Sequence, residues 1–194
     1  MTIFVDLDHT LNLLYKSYNE SYLQLYNKDL KLTRGKLKSY FFHDITKEAY
    51  LEAADRTHKI FSIPGFWENV PIYPDAKNVM SFLCSYHDVF IVTAPWVENE
   101  NCYLEKVKWV KNNLPFFDIN NIIFTKHKSL LIGDIMIDDN PDYLIHNRCK
   151  KTIKMWYPYN DKIPVLEAHS WKDIKNLMIE IQETEGWKYG RQKV

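Results

Sequence analysis

The chain has 194 residues, of which 46% are hydrophobic, and its 25 lysines and arginines balance its 25 aspartates and glutamates. That length fits one domain with a sizeable core and a modest insertion, and zero net charge excludes a global field that would recruit a nucleic-acid polymer or an anionic membrane. No apolar run approaches the ~20 residues of a bilayer span, Met1 leads directly into an apolar strand, and Cys84, Cys102 and Cys149 form no Cys-x-x-Cys pair, so a cytoplasmic chain without disulfides or zinc is expected.

In chain order, Thr2-Ile3-Phe4-Val5 is an apolar run that ends in Asp6-Leu7-Asp8, with Thr10 two residues further on. Leu11, Leu14, Tyr18, Tyr22 and Leu25 then recur at helical spacing and predict a helix leading away from the core. A polar turn is expected at Asn27 to Lys31. A second helix is expected from Lys47 to Phe61, with Tyr50, Ala53, Ala54 and Ile60 inward, and Ser62-Ile63-Pro64-Gly65 breaks it. This is more chain than one crossover needs, so residues 14–69 are expected to form a small helical cap inserted after the first strand, with 1–13 and 70–194 as the core.

A helix from Asp75 to Tyr86 and a second strand from Asp88 follow, the apolar run Val89-Phe90-Ile91-Val92 ending in Thr93-Ala94-Pro95. Cys102 to Leu114 reads as a helix, and Ile122 to Thr125 as a third strand with Lys128 just beyond it. Ile135-Met136-Ile137 is a fourth strand capped by Asp138-Asp139, and Asn140-Pro141 is a good helix start. Thr152 to Tyr157 supplies a fifth strand, and Ser170 to Glu183 a last amphipathic helix. Repeated strand and helix alternation predicts an α/β fold, a parallel sheet flanked by helices, whose ligands gather at the carboxyl ends of the strands.

Alone, two aspartates one residue apart also describe an acidic turn after a buried strand. Here four strand ends each carry a polar group suited to phosphate or metal: Asp6 and Asp8, Thr93, Lys128, and Asp138 and Asp139. One carboxylate of the first pair can bind Mg²⁺ and attack phosphorus while the other hands a proton to the leaving oxygen.

The order of these motifs resembles that of the haloacid dehalogenase superfamily of phosphotransferases. Thr93-Ala94-Pro95, the helix Cys102 to Val110, Thr125-Lys126-His127-Lys128, Ile137 to Asp142 and the late His169-Ser170-Trp171 resemble the 5′(3′)-deoxyribonucleotidase family. His9 departs from it, because the family commonly has glycine there. The resemblance implies a Rossmann-like core and a Mg²⁺-dependent phosphatase acting on deoxyribonucleoside monophosphates. It implies Asp6 as nucleophile, Asp8 as general acid and then base, and Mg²⁺ held by Asp6, the Asp8 backbone carbonyl and Asp139. Asp138 takes a supporting role that is exchangeable with that of Asp139. Thr93, Ala94 and Lys128 would hold phosphate, Lys128 being preferred over the nearby Lys126.

Aromatic residues make up 15% of the chain, and a flat base can stack on rings at the site mouth. Phe66, Trp67 and Trp96 are the rings expected to do so. The partner is then a small molecule rather than a polymer, and oligomeric state, a homodimer included, is left open. Another small phosphomonoester, or a catalytically silent binding module on the same fold, are the alternatives.

Overall fold

The computed structural model describes residues 1–46 and 49–184. Six strands, β1 (Thr2–Val5), β2 (Asp88–Thr93), β3 (Ile122–Phe124), β4 (Ile135–Asp138), β5 (Lys151–Met155) and β6 (Leu166–Ala168), form one sheet in the order β3-β2-β1-β4-β5-β6. Every pairing is parallel. The order reverses at β1, whose neighbours are β2 on one side and β4 on the other. A switch point of this kind opens a crevice at the carboxyl ends of the strands.

The period of two along the strands divides the interior. Ile3, Val5, Val89, Ile91, Ile135 and Ile137 turn to the main core, while Phe4, Val92 and Met136 turn to a smaller cluster with Phe90 and Ile123. Helices α3 (Ala76–Tyr86) and α6 (Trp171–Thr184) add Val79, Leu83, Ile174 and Met178 to the main core, and α4 (Cys102–Asn113) adds Trp109. The short α5 (Pro141–His146) is capped by Asn140, whose side chain accepts from Asp142 N at 2.9 Å, as the Asn-Pro start predicts.

Between β1 and β2 lie α1 (Leu14–Tyr26) and α2 (Tyr50–Phe61). Helix α1 buries Leu14, Tyr15, Tyr18 and Tyr22 and stops at Asn27 in the left-handed region (φ 50°); Leu11 precedes the helix, and Leu25 faces solvent. Helix α2 buries Ala53, Thr57, Ile60 and Phe61, whereas Tyr50 is exposed; Lys47 and Glu48 lie outside the described residues. The insertion leaves and returns through one short antiparallel crossing, with Leu13 N bonded to Pro71 O and Tyr73 N to Leu11 O, each at 2.8 Å. Its buried rings belong to the same apolar cluster as the sheet.

Two differences from the sequence reading concern the far edge. Strand β5 begins one residue earlier and ends at Met155, and β6 was not expected. Three residues, Leu-Glu-Ala, are too few to show an alternation.

Gly133 enters β4 beside the Phe4 ring, and a Cβ there would stand 2.6 Å from Phe4 Cε2 and 3.4 Å from Thr2 O. Phe4 is locked in the smaller cluster and has little room to give. Gly133→Ala is therefore expected to destabilise the protein by about 1–3 kcal/mol, read from the midpoint of thermal or urea unfolding. An unchanged midpoint would show that the ring repacks freely.

Candidate active site

The ladder of β1 runs one residue past its end, Asp6 N donating to Ile137 O at 2.9 Å, so Asp6 is set beside the acidic end of β4. The 3₁₀ turn Lys128–Leu130 after β3 brings Lys128 back to the same point. Lys128 Nζ lies 2.5 Å from Asp6 Oδ1 and 2.6 Å from Asp138 Oδ2, all three side chains being buried. Asp138 Oδ1 accepts from Asn140 N at 2.8 Å. Asp139 is held differently, by hydroxyls: Thr10 Oγ1 donates to Oδ1 at 3.2 Å and the Tyr159 hydroxyl donates to Oδ2.

Carboxylate oxygens of Asp6, Asp138 and Asp139 lie within 4.8 Å of one another. Three carboxylates share one ammonium, which leaves two negative charges without a partner. The consequence is visible at Asp6, whose carboxyl burial pushes from 3.8 up to about 7; Lys128 opposes this, and Asp138 and Asp8 add to it. Asp139 is likewise raised well above the ordinary range, first by burial and then by repulsion from Asp6 and Asp138. For Lys128 burial works against the charge, but Asp138 and Asp6 outweigh it and raise its pKa. A hard divalent cation with oxygen ligands, such as Mg²⁺, fits both the donor set and the missing charge.

Asp8 has separate company. Its Oδ2 lies 2.5 Å from Lys106 Nζ, and its Oδ1 accepts from Asn12 Nδ2 at 3.0 Å. Lys106 reaches down from α4, is 1% exposed, and also donates to Thr93 Oγ1 at 2.9 Å and Ala94 O at 2.8 Å. Just after Asp8, His9 adopts φ 62°, a conformation that costs a residue with a side chain ~1–2 kcal/mol and that glycine adopts freely. Its ring is buried against Tyr15, Phe42 and Tyr157, and burial lowers its pKa to about 4 with Asp8 opposing, so the imidazole is neutral at pH 7.

Above these groups a cavity of about 540 Å³ opens between the insertion and the strand ends. Asp8, His9, Ala94, Trp67, Trp96, Phe42 and Phe61 line it, and Tyr40, Phe41, His43 and Tyr50 form its outer wall. Of the three rings expected at the mouth, Trp67 and Trp96 are on the wall. Phe66 stands apart from it, buried with its ring 5.1 Å from that of Trp67 and 5.4 Å from that of Phe61. Thr93, Asp6, Lys128, Asp138 and Asp139 are not on its lining but stand next to residues that are, Ala94, Asn140 and Tyr143 among them. Lys126, over which Lys128 was preferred, is exposed and borders the cavity.

Lys106 and Tyr159 were not singled out from the sequence. Lys106 did leave a signal: it falls on the same helical face as Cys102, Trp109 and Val110, where a charged side chain must find partners. Tyr159 left none, since the loop after β5 has no period to read.

The model of the family described as 5′ nucleotidase, deoxy (pyrimidine), cytosolic type C protein matches residues 1–184. The chain is similar to the 5′(3′)-deoxyribonucleotidase of Clostridium acetobutylicum, 31% identical over 91% of this chain and 93% of that one. Among solved structures, a haloacid dehalogenase-like hydrolase of Streptococcus pneumoniae superposes with a TM-score of 0.60 at 14% identity, covering 91% of this chain and 97% of that one. A haloacid dehalogenase hydrolase of Bacillus subtilis, solved with magnesium bound, superposes with a TM-score of 0.57 at 14% identity and the same coverage. These likenesses make the fold that of the haloacid dehalogenase hydrolases, which generally use Mg²⁺.

The crowding of charge at Asp6 has a measurable sign. With its folded pKa raised from 3.8 to about 7, Asp6 favours folding fully below pH 3.8, and that contribution is lost as pH rises through about 7. Asp6→Asn removes the loss, and relief of Asp139 adds in the same direction. In EDTA, the stability of Asp6→Asn over wild type is expected to grow between pH 5 and 7 by up to about 1.4 kcal/mol per pH unit. A gap that stays constant with pH in urea melts would contradict this.

Proposed function

Because the chain belongs to the family of deoxy (pyrimidine), cytosolic type C 5′ nucleotidases and is a phosphoric monoester hydrolase, we propose that its substrates are deoxyribonucleoside monophosphates, cleaved in the cytoplasm through an aspartyl-phosphate on Asp6. The observation that carries this reading is the buried Lys128 bridge between Asp6 and Asp138, set against Tyr143, whose ring helps line an aromatic cavity.

Phosphate monoesters resist attack because their oxygens repel a nucleophile, so the site must neutralise charge and hold attack and departure in line. Asp6 attacks phosphorus while Lys128 fixes its carboxyl through Oδ1 and offers charge to the phosphoryl oxygens. The bond from phosphorus to the leaving oxygen breaks as Asp8 gives that oxygen its proton. Asp8 then takes a proton from the water that attacks the aspartyl-phosphate, freeing Asp6 and phosphate. Thr93 Oγ1 accepts from Lys106, which leaves its own proton for a phosphate oxygen, helped by the Ala94 backbone N–H. Asp6, Asp139 and the Asp8 backbone carbonyl would hold Mg²⁺, which when bound offsets the negative charge that nucleophile and phosphoryl group bring together. Asp138, engaged by Lys128 and Asn140 N, supports that lysine.

Residues 14–69 act in this reading as a cap that supplies the substrate wall. The base lies between Trp67 and Trp96, with Phe66 packed behind as support. The sugar meets Leu14, Phe42 and Phe61. Thr57 Oγ1 beside them is engaged with Ala53 O at 2.8 Å and Tyr18 Oη at 2.9 Å. A ribose 2′-hydroxyl there would be desolvated without a partner, at ~1–3 kcal/mol.

Asp6→Asn, and EDTA treatment of the wild type, are each expected to remove turnover of dUMP, with Mg²⁺ restoring the treated enzyme alone. Near-normal rates in the variant would overturn the nucleophile assignment.

On the sugar, kcat/KM for dUMP is expected to exceed that for UMP by roughly tenfold or more. Trp96→Ala should lower dUMP hydrolysis more than p-nitrophenyl phosphate hydrolysis, because only the nucleotide uses the ring. Equal rates on dUMP and UMP would leave a phosphatase of other small esters.

A further inference from the structure

Helix α4 buries two charged side chains, Glu105 and Lys106, on its inner face. Glu105 has a structural partner set, accepting from Gly65 N at 2.7 Å and Trp67 N at 3.1 Å, and so ties the end of the insertion to the helix. Lys106 is aimed instead at the reacting groups. A lysine ammonium carries three protons, and this one meets three acceptors: Asp8 Oδ2 at 2.5 Å, Thr93 Oγ1 at 2.9 Å and Ala94 O at 2.8 Å. With all three directions used it has none to spare for substrate. The Trp67 ring closes its remaining side, 4.7 Å from Nζ.

Burying an ammonium costs several kcal/mol unless its partners repay it, and an apolar side chain of similar volume commonly serves packing as well or better. A strut between α4 and the β2 loop would not need this charge. What the charge does here is fix one oxygen of Asp8 while Asn12 fixes the other, so the carboxyl has a single orientation towards the cavity. The same ammonium sets the Thr93 hydroxyl.

Resting on the phosphatase reading above, the geometry points to Lys106 as a positioning residue for protonation of the leaving group: it acts through Asp8 and touches neither phosphate nor leaving oxygen. When Asp8 transfers its proton to the leaving oxygen and the phosphorus–oxygen bond breaks, the carboxylate left behind remains paired with Lys106 and stays in place to accept the proton of the incoming water.

This role has a signature that a strut lacks. A poor leaving group needs the proton and a good one does not, so misplacing Asp8 penalises esters in order of leaving-group basicity. The test compares kcat/KM for p-nitrophenyl, phenyl and benzyl phosphates, which are alike in size and carry no base, in wild type, Lys106→Met and Lys106→Gln. Melting curves on each variant monitor the fold, and the glutamine variant, which keeps a donor, carries the test if the methionine variant does not fold. The ratio of the p-nitrophenyl to the benzyl value is expected to rise about 30-fold or more, somewhat less than the ~10²-fold or more a positioned acid contributes, because Asp8 is misplaced and not removed. Equal losses on all three esters, or no loss on benzyl phosphate, would overturn this role while leaving the phosphatase reading intact. A wild type that hydrolyses neither these esters nor dUMP would overturn that reading and this role together.

Discussion

One ammonium group placed between two carboxylates sets the terms for this fold. Lys128 is wholly buried, and its charge is tolerable only because Asp6 and Asp138 stand at hydrogen-bond distance. The sheet order makes that meeting demanding. Lys128 follows β3 at one edge, Asp6 follows β1, and Asp138 ends β4, so the lysine must cross the end of β2 to reach them. The chain manages this by extending the β2–β3 pairing one step, Thr125 N to Thr93 O at 3.0 Å, and then folding back through a 3₁₀ turn. Thr93 ends β2 and so falls directly beneath that crossing.

That meeting also explains the surroundings. Three carboxylates in a buried place would repel one another strongly in water-poor surroundings, and one lysine does not balance them. The protein answers with fixed hydroxyl and amide donors: Tyr159 and Thr10 on Asp139, the Asn140 backbone on Asp138, and Asn160 Nδ2 on the Asp139 carbonyl at 2.8 Å. Such donors hold orientation without cancelling charge. The site is thus ordered yet electrostatically incomplete, a state suited to receiving a cation and a phosphate whose charges complete it. A substrate that fills the ring-lined cavity would displace water from it and strengthen each of these interactions.

Much of this was legible because the strands are short and regular. Four apolar runs each ended in a polar residue, and the parallel ladders carry those ends to one edge, so order along the chain became proximity in space. The helices were legible from their period, with errors where the period was applied too far: Leu25 and Tyr50 continue a spacing that the observed helices turn to solvent. What escaped was set by tertiary approach. β6 is a three-residue edge whose only argument for being a strand is its neighbour β5. Phe66 and Trp67 are adjacent in sequence and look alike in composition, yet the turn at 62–65 sends one ring behind the other. Lys106 is one lysine among several on a helix, and only its register against Trp109 marks it.

The two aspartates of the first strand end deserve to be read as separate acids rather than as a pair. Alternation along a strand would put Asp6 and Asp8 on one face, but the strand has ended at Val5, and the two carboxyls meet different lysines. Asp6 meets Lys128 from the β3 loop together with two further carboxylates, and Asp8 meets Lys106 from α4 with a hydroxyl and a carbonyl. Two carboxyls placed two residues apart can do different chemistry only if their surroundings differ, since equal surroundings would give equal chemistry. His9 follows them with a left-handed backbone, and the rings of Tyr15, Phe42 and Tyr157 packed on its imidazole hold that turn in place. The His9 side chain therefore ties Tyr15 and Phe42 to the loop after β1, joining the cavity wall and the strand-end carboxylates in one packed unit.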